Sequence, residues 1–426
     1  MKKQMKWLLA ALALAALATP AFALNADMTG TLGVRAIATN NFDGNDDVQD
    51  HTRALDQRFR LFTSVAANEN VKVVFGVEVD SIWGRTAATG KDIGSMSADD
   101  TTKLEIKHLY LDFKVPALGA NVKAGVQPFN FGRGMIINDD ASGLLVSMPC
   151  PALPNNKLEL SWIKTSEGTA NTTAKDEGDF YSAKYSAKLA GIAIAPYAGY
   201  YTAEAAALST TAATDAAFFG VDVDGKAGPV GYALTALYNT WNSVPFANAT
   251  SARATDGDSI SVYGKGTMAL GATTLSLEAA RMGDIDNTGG NAMNLAQNAA
   301  TGPIVNISEI LTGGMYAANS GVNANINGGN NLYLTNWLYA KVGAVQKLND
   351  SMTVSAYLAH IAQASDVRTN AGTVDAITYG QEVDAYFDYA IVPGLGLNVA
   401  AAYLLADDDF GDDDAWKLAT SLNYKF

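Results

Sequence analysis

The chain has 426 residues, a formal net charge of −14, 43 acidic against 29 basic side chains, and one cysteine. So acidic a chain excludes a nucleic-acid partner, whose phosphates require a basic surface, and a lone Cys150 excludes an internal disulfide. A mean hydropathy of +0.04 with no C-x-x-C-H sequence describes neither a helical membrane protein nor a covalent haem carrier, but fits strands that alternate between oil and water.

In chain order, Met1 to Ala23 comes first, with basic Lys2, Lys3 and Lys6, an apolar run from Trp7 to Leu17, and Ala21-Phe22-Ala23 as a cleavage site. This is the pattern of a secretory signal peptide (1–23), removed to leave a single domain over 24–426. The apolar run is too short to span a bilayer, and no later stretch is long enough. Alternating segments then follow from Asn25, Arg53, Asn70, Lys103, Asn121, Gly143, Lys157, Gly178 and Gly191. Nine more begin at Thr214, Pro229, Asp258, Thr273, Asn331, Ser351, Ala376, Leu395 and Asp414. The expectation is an all-β, antiparallel transmembrane barrel of about 18 strands, within 16–20.

The connections alternate in length. Ala67 to Glu69, Pro116 to Ala120, Ala190, Lys226 to Gly228 and Asn349-Asp350 are short and rich in turn residues, whereas those between them are long. Short periplasmic turns and long extracellular loops are the asymmetry of an outer-membrane barrel, and they put both termini in the periplasm. The longest loop, Gly283 to Asn330, belongs over or beside the mouth.

Charged residues of the alternating segments must line water, because an Arg or Lys at the bilayer midplane costs about 2–4 kcal/mol. That rule assigns Arg58, Arg60, Lys72, Glu78, Asp80, Lys184, Lys188, Glu382 and Asp384 to the lumen. Between Ile106 and Leu109 the alternation changes phase beside His108, which predicts a bulge. Trp83, Trp162, Trp241, Trp416, Tyr110, Tyr201 and Tyr389 sit near segment ends, where belt aromatics are expected. Acidic clusters fall in loops: Asp43, Asp46, Asp47 and Asp50; Asp99 and Asp100; and an extracellular mouth of Asp407, Asp408, Asp409, Asp412, Asp413 and Asp414. The last cluster lacks the spaced ligands and closing Glu of a calcium loop, so no metal site and no cofactor is assigned.

Two segments carry more. In the last, Trp416, Leu418, Thr420, Leu422, Tyr424 and Phe426 share one parity and Lys417, Ser421, Asn423 and Lys425 the other. It resembles the C-terminal assembly signal of outer-membrane β-barrels, with Trp416, Tyr424 and Phe426 as the residues read by the barrel-assembly machinery. The segment Ala120 to Gly143 mixes apolar Phe129, Phe131, Ile136 and Ile137 with Pro128, Gly132, Gly134 and the Asp139-Asp140 pair. An exposed loop has no use for so many apolar groups, and a loop folded into the lumen does. Its G-x-Q, apolar loop and D-D-x-x-G resemble the matching stretch of trimeric porins of delta-proteobacteria, and more distantly alginate-export barrels, although Val126 stands where the latter carry Arg. The expected constriction is Asp139 and Asp140 opposite Arg58 and Arg60, with Arg133 in the loop.

With His51, His108 and His360 as its only histidines and no nucleophile motif, the chain offers no catalytic site. The function expected is a passive outer-membrane porin for small hydrophilic solutes or ions. The partners are then membrane lipid, lipopolysaccharide and, by the resemblance, two further copies in a homotrimer. The alternatives are a substrate-specific channel or polyanion exporter, favoured by a constriction dominated by Arg35, Arg58, Arg60 and Arg133, and a barrel sheath for a separate electron-transfer protein.

Overall fold

The computed structural model describes residues 25–42, 44–45, 51–84, 104–150, 156–166, 177–203, 213–244, 255–283, 307–311, 337–369, 372–411 and 413–426. The signal segment, the aspartates at 43, 46, 47, 50, 99, 100 and 412, and most of the Gly283 to Asn330 loop lie outside these residues.

The wall begins with β1 (Asn25–Asn40), β2 (Thr52–Asn68), β3 (Val71–Ile82), β4 (Glu105–Val115), β5 (Ala120–Phe131) and β6 (Ile137–Pro149). It continues with β7 (Lys157–Ser166), β8 (Gly178–Leu189), β9 (Ile192–Ala203), β10 (Ala213–Ala227), β11 (Val230–Val244) and β12 (Thr255–Leu270). After β13 (Thr273–Arg281), β14 (Trp337–Lys347) and β15 (Met352–Gln363), a small hairpin of β16 (Val367–Thr369) and β17 (Gly372–Val374) stands apart from the wall. The last wall strands are β18 (Thr378–Val392), β19 (Leu395–Ala406) and β20 (Ala415–Lys425). These 18 wall strands form one antiparallel sheet, each pairing with its neighbours in chain order, and β1 pairs with β20 to close it. Closure leaves no wall strand with an unpaired edge, the condition for crossing hydrocarbon with strands.

The closing seam shows how the ending works. Phe426 donates its N–H to the Gly30 carbonyl at 3.1 Å and accepts from the Gly30 N–H at 2.9 Å, so pairing runs to the last residue. Trp416, Tyr424 and Phe426 face outward with Leu418 and Leu422, while Lys417, Ala419 and Ser421 are buried inside. At the other end of the turn vocabulary, Ala190 (φ 48°) and Gly191 (φ 88°) are both left-handed, the geometry of the two-residue hairpin that joins β8 to β9.

The phase change beside His108 is a bulge. β3 pairs Gly76 with His108 but Val77 with Ile106, leaving Lys107 as the extra residue. Leu104, Ile106, Leu109 and Leu111 consequently all face outward on either side of it.

Belt aromatics are only partly where spacing puts them. Trp83, Trp162 and Trp416 are exposed outside, but Trp241 is buried, and Tyr201 and Tyr110 also turn inward. Parity decides this: Trp241 pairs with buried Ala216 and so projects into the lumen, where an apolar cluster receives it. Near the extracellular rim, Trp162 donates to Asp179 at 2.7 Å, Tyr200 to Asp215 at 3.0 Å and Tyr403 to Asp414 at 2.8 Å. Each aromatic keeps its apolar body against lipid and ties its polar tip to a carboxylate, which marks the level of the upper interface.

Candidate functional site: a lumen narrowed from two sides

β5 pairs with β4 only as far as Leu109 opposite Val126, and β6 pairs with β7 only from Ser142 opposite Lys164. Between themselves β5 and β6 continue to Phe131 opposite Ile137. Residues 127–141 therefore leave the wall as a hairpin that carries its own backbone hydrogen bonds. Sequence reasoning treats this stretch as a loop because of Pro128, Gly132 and Gly134; the glycines serve instead in a tight reversal, where Gly132 (φ 63°), Arg133 (φ 54°) and Gly134 (φ 82°) are consecutive left-handed residues.

One face of the hairpin is apolar and seated. Phe129, Phe131 and Ile137 are buried against Ile163, Phe180, Tyr197, Phe218, Leu237 and Trp241, inward side chains of β7 to β11. Phe131 meets Phe180 and Tyr197 edge-on, with ring centres 5.3 and 5.1 Å apart. The opposite parity carries Val126 and Leu144 while the strands are in the wall, and Pro128, Asn130, Asn138 and Asp140 once they have left it. The face that would meet lipid becomes polar where the hairpin crosses the lumen.

Arg133 fixes the tip to the far wall. Its guanidinium donates to both carboxylate oxygens of Asp224 on β10 at 3.0 and 3.1 Å, to Thr235 Oγ1 on β11 at 2.8 Å, and to the Leu234 carbonyl at 3.3 Å. Burial disfavours the charge, but the Asp224 hydrogen bond and the Asp222 and Asp224 carboxylates outweigh it and raise the Arg133 pKa above its ordinary value. A non-glycine residue in the left-handed region costs about 1–3 kcal/mol, which these bonds offset.

Across the lumen lies a row of paired charges on β1 to β4. Arg35 binds Asp56 through two bonds of 2.8 and 2.9 Å, and Arg58 binds Asp80 through two of 2.7 and 2.6 Å. Glu78, almost fully buried, takes Arg60 as its hydrogen-bonded partner and has Arg58 at 3.3 Å and Lys107 at 3.8 Å. Asp140 of the hairpin joins this row through Lys107 at 3.1 Å and His108 Nε2 at 3.0 Å, both delivered inward by the β4 bulge. Below it, Arg35, Arg58, Arg60, Asn398, Asn423 and Lys425 line a chamber of about 800 Å³ at the periplasmic end.

Of the expected constriction residues, the structure thus links Asp140, Arg58 and Arg60, with Lys107 and Glu78 between them rather than in direct opposition. Asp139 is turned the other way, in the register of Phe129, and accepts the Asp140 N–H at 2.7 Å. Arg133 does not face the basic row at all; its partners are on β10 and β11. Lys107 and His108 were legible as inward only through the phase change, which puts two successive polar residues on one side.

The other assigned lining residues divide. Lys72 faces Asp112 at 3.4 Å, Lys184 shares the inward register of Tyr197, and Lys188 is exposed near the periplasmic turn. Glu382 and Asp384 point inward but do not line water, because residues 307–311 cover them. Glu382 accepts the Ile310 and Leu311 N–H groups at 2.6 and 3.1 Å. Lys341 donates to the Ile307 carbonyl at 2.6 Å, and Lys417 binds both the carbonyl and the carboxylate of Glu309 at 2.9 Å. Apolar side chains complete the contact: Ile307, Ile310 and Leu311 are buried with Tyr339, Ile361 and Leu404, in a cluster that also takes Met135 from the hairpin. The two inward elements therefore touch one core.

The acidic mouth is partly structural. Asp414 accepts from Tyr403 and from the Ala406 N–H at 3.0 Å, Asp409 from the Thr378 N–H at 3.3 Å, and Asp407 from the Asp409 N–H at 3.3 Å. Asp408 and Asp413 belong to the same loop, and Asp412 lies outside the described residues. Among the described residues no cluster of His, Cys, Asp and Glu is suited to a metal, and no helix is long and apolar enough to cross a membrane.

No family model matches the chain, and no curated protein matches it by sequence. Solved structures do match. The chain is similar to OccK8 (OprE) of Pseudomonas aeruginosa, with a TM-score of 0.57 and 12% identity over 94% of this chain and 98% of that one. The fold is that of an outer-membrane porin. OccK2 (OpdF) of the same organism gives 0.56 and 11%, and its OpdK, solved with vanillate, gives 0.54 and 14%, each over 94% of this chain and 98% of the other. These neighbours support the porin barrel and lend nothing to a specific tie with delta-proteobacterial or alginate-export barrels.

Proposed function

We propose that the protein is an outer-membrane channel for passive diffusion of small hydrophilic solutes or ions, its route narrowed between the β5–β6 hairpin and the paired charges of β1 to β4. The observation that carries this reading is the hairpin's departure from the wall at Val126 and Ser142 and its docking on β7 to β11. A barrel that only held a partner or sealed itself would not need a charged, half-exposed row facing the hairpin's polar side. Arg58 and Arg60 keep about a third of their side-chain surface open, at 31% and 35%.

The same row argues against a polyanion exporter. Its cations Arg35, Arg58, Arg60 and Lys107 face the carboxylates Asp56, Glu78, Asp80, Glu105 and Asp140, so no net positive field runs through it. Alternating paired charges orient dipolar solutes and penalise apolar ones, which must enter ordered water. A weak cation preference follows, sharpened at low salt by the aspartates of the mouth. The vanillate of the OpdK structure makes small aromatic carboxylates a second solute class to test, since Arg58 and Arg60 open on the periplasmic chamber.

In this reading, cleavage after Ala23 releases a mature single-domain barrel, Trp416, Tyr424 and Phe426 are read by the barrel-assembly machinery, and the barrel rests among phospholipid and lipopolysaccharide. The resemblance of the Gln127 to Gly143 stretch to trimeric porins supports a homotrimer, and no enzymatic role is assigned. Single-channel conductance and reversal potential in a planar bilayer test the function: an ohmic channel with mild cation preference supports it. A barrel that inserts without conducting, or that strongly prefers polyanions, overturns it.

A further inference from the structure

Behind residues 307–311 the register lays charged side chains in two inward rows. The first runs Lys265, Glu278, Lys341, Ala359, Glu382 and Leu404 across β12 to β15, β18 and β19. The second runs Tyr357, Asp384, Ala402 and Lys417 across β15, β18, β19 and β20. Glu382 and Asp384 therefore share one face of β18, and the strands on either side set Ala359, Leu404, Tyr357 and Ala402 against them, none a cation. The ammonium groups that reach this place, Lys341 and Lys417, come from one strand further out on each side.

These charges do not balance. Glu278 is answered by Lys265 and by the Tyr339 hydroxyl, each at 2.9 Å. Glu309 takes Lys417 at 2.9 Å and the Tyr386 hydroxyl at 3.1 Å, and Glu382 accepts the Ile310 and Leu311 N–H groups. Lys341 donates to the Ile307 carbonyl and lies over the Tyr357 ring at 4.3 Å. Asp384 is fully buried, and among the described residues no N–H or hydroxyl donates to either of its oxygens. Its side chain meets that of Glu382 within hydrogen-bonding reach. Two carboxylates are acceptors only, so such a contact requires a proton between them. The inventory agrees: Glu309, Glu382 and Asp384 face only Lys341 and Lys417, and an uncompensated charge in a dry site is far costlier than in water. Among the described residues no carboxylates converge as metal ligands, whereas one proton both neutralises the set and supplies the missing donor.

We infer that Glu382 and Asp384 share one proton and that this proton is a switch: while it is held, residues 307–311 stay seated on the wall, and when it is lost they come away and widen the lumen. The inference rests on the channel reading above and adds a control to it. In the seated state the proton is trapped between the two carboxyls; in the released state water reaches both, and they ionise. Release therefore gives up a proton, so rising pH favours it and the seat weakens on the alkaline side. β19 brings only Ala400, Ala402 and Leu404 to this face, so no further charge moderates the effect from there. The change reaches the pore because Ile310 and Leu311 pack in the same cluster as Met135 of the hairpin tip.

Asp384→Asn tests the switch, because its amide N–H donates to Glu382 where the proton did and does not titrate. The readout is hydrogen exchange of the Ile310 and Leu311 amides in the full-length mature barrel, divided by the chemical exchange rate at each pH. In the wild type, protection is expected to fall about tenfold per pH unit on the alkaline side, the slope for one proton released on opening. The variant keeps Lys341 and Lys417 and should stay flat. Glu382→Gln supplies the donor from the other carboxyl and should flatten the profile in the same way. A flat wild-type profile, or a slope that either folded variant keeps, would overturn the inference. Exchange is read without any current, so a responsive barrel that fails to conduct removes the channel reading and leaves the switch standing. A conducting barrel with a flat profile does the reverse.

Discussion

The two elements inside the lumen solve one problem in opposite ways. The β5–β6 hairpin brings its own backbone partners, pairing from Gln127 opposite Ala141 to Phe131 opposite Ile137, and meets the wall through side chains: apolar contact, the Arg133 latch and the Asp140 bonds to Lys107 and His108. Residues 307–311 form no helix or strand, and the wall must answer their backbone groups with charge: Glu382 for two N–H groups, Lys341 and Lys417 for two carbonyls. An irregular segment at membrane depth is tolerated only where protein satisfies it. Inward charged residues are thus of two kinds, those that meet water and those that hold backbone, and alternation alone cannot separate them.

Both elements presuppose a closed wall, so the largest effect is expected from the seam. Deleting Phe426, or Phe426→Asp, should abolish most outer-membrane insertion and leave periplasmic aggregate, since the deletion removes the backbone pairing with Gly30 and both variants remove the terminal ring of the outward aromatic row. Normal heat-modifiable barrel in the membrane fraction would refute this.

Next comes the charged clamp. Glu382→Ala removes the acceptor of two buried N–H groups beside Asp384 and Lys341, a loss of about 1–3 kcal/mol for each donor left unsatisfied. The temperature at which the folded band disappears on gels should fall and conductance should become noisier. Glu382→Gln, which keeps one acceptor oxygen, should fall between Ala and wild type; no ordering among the three would mean that residues 307–311 are held by their apolar side chains alone.

The latch should matter less to stability and more to the current. Arg133→Gln forfeits the paired bonds to Asp224, each charged bond being worth about 1.5–3 kcal/mol, but leaves Phe129, Phe131 and Ile137 seated. Open-channel flicker is expected with a smaller fall in unfolding temperature than Glu382→Ala gives, and a quiet trace would show that packing alone fixes the tip.

The smallest effect belongs to the mouth. Replacing Asp407, Asp408 and Asp413 with Asn should reduce cation preference only at low salt, because rim charges act over a Debye length of about 10 Å at 0.1 M. An unchanged reversal potential at low ionic strength would place these aspartates away from the ion path.

Much of the wall was legible in the residues. Alternation placed eighteen segments, set both ends of Gly178 to Leu189, and located the β4 bulge, because each depends on local side-chain chemistry facing oil or water. The lumen was legible only in part. Asp140, Arg58 and Arg60 were recognisable as inward charges, but Arg133 finds its partners 91 and 102 residues away, a distance no local pattern encodes. Glu382 and Asp384 alternate with Val383 and Ala385 like any water-lining pair, and nothing near them announces a covering segment some 70 residues earlier. Trp241 and Tyr201 were misplaced for a related reason: position near a strand end suggests the belt, while parity sends them under the hairpin.

The central claim is that the hairpin lies in the pore and sets its narrowest section, and single-channel conductance of the barrel lacking Met135 to Asp140 tests it most directly. With Asp140 and the start of the return strand removed, the polar face no longer approaches Lys107 and His108, and conductance should rise clearly above wild type, with selectivity shifting towards anions. If the shortened barrel inserts normally and its conductance is unchanged, the hairpin does not limit the pore and the account is wrong.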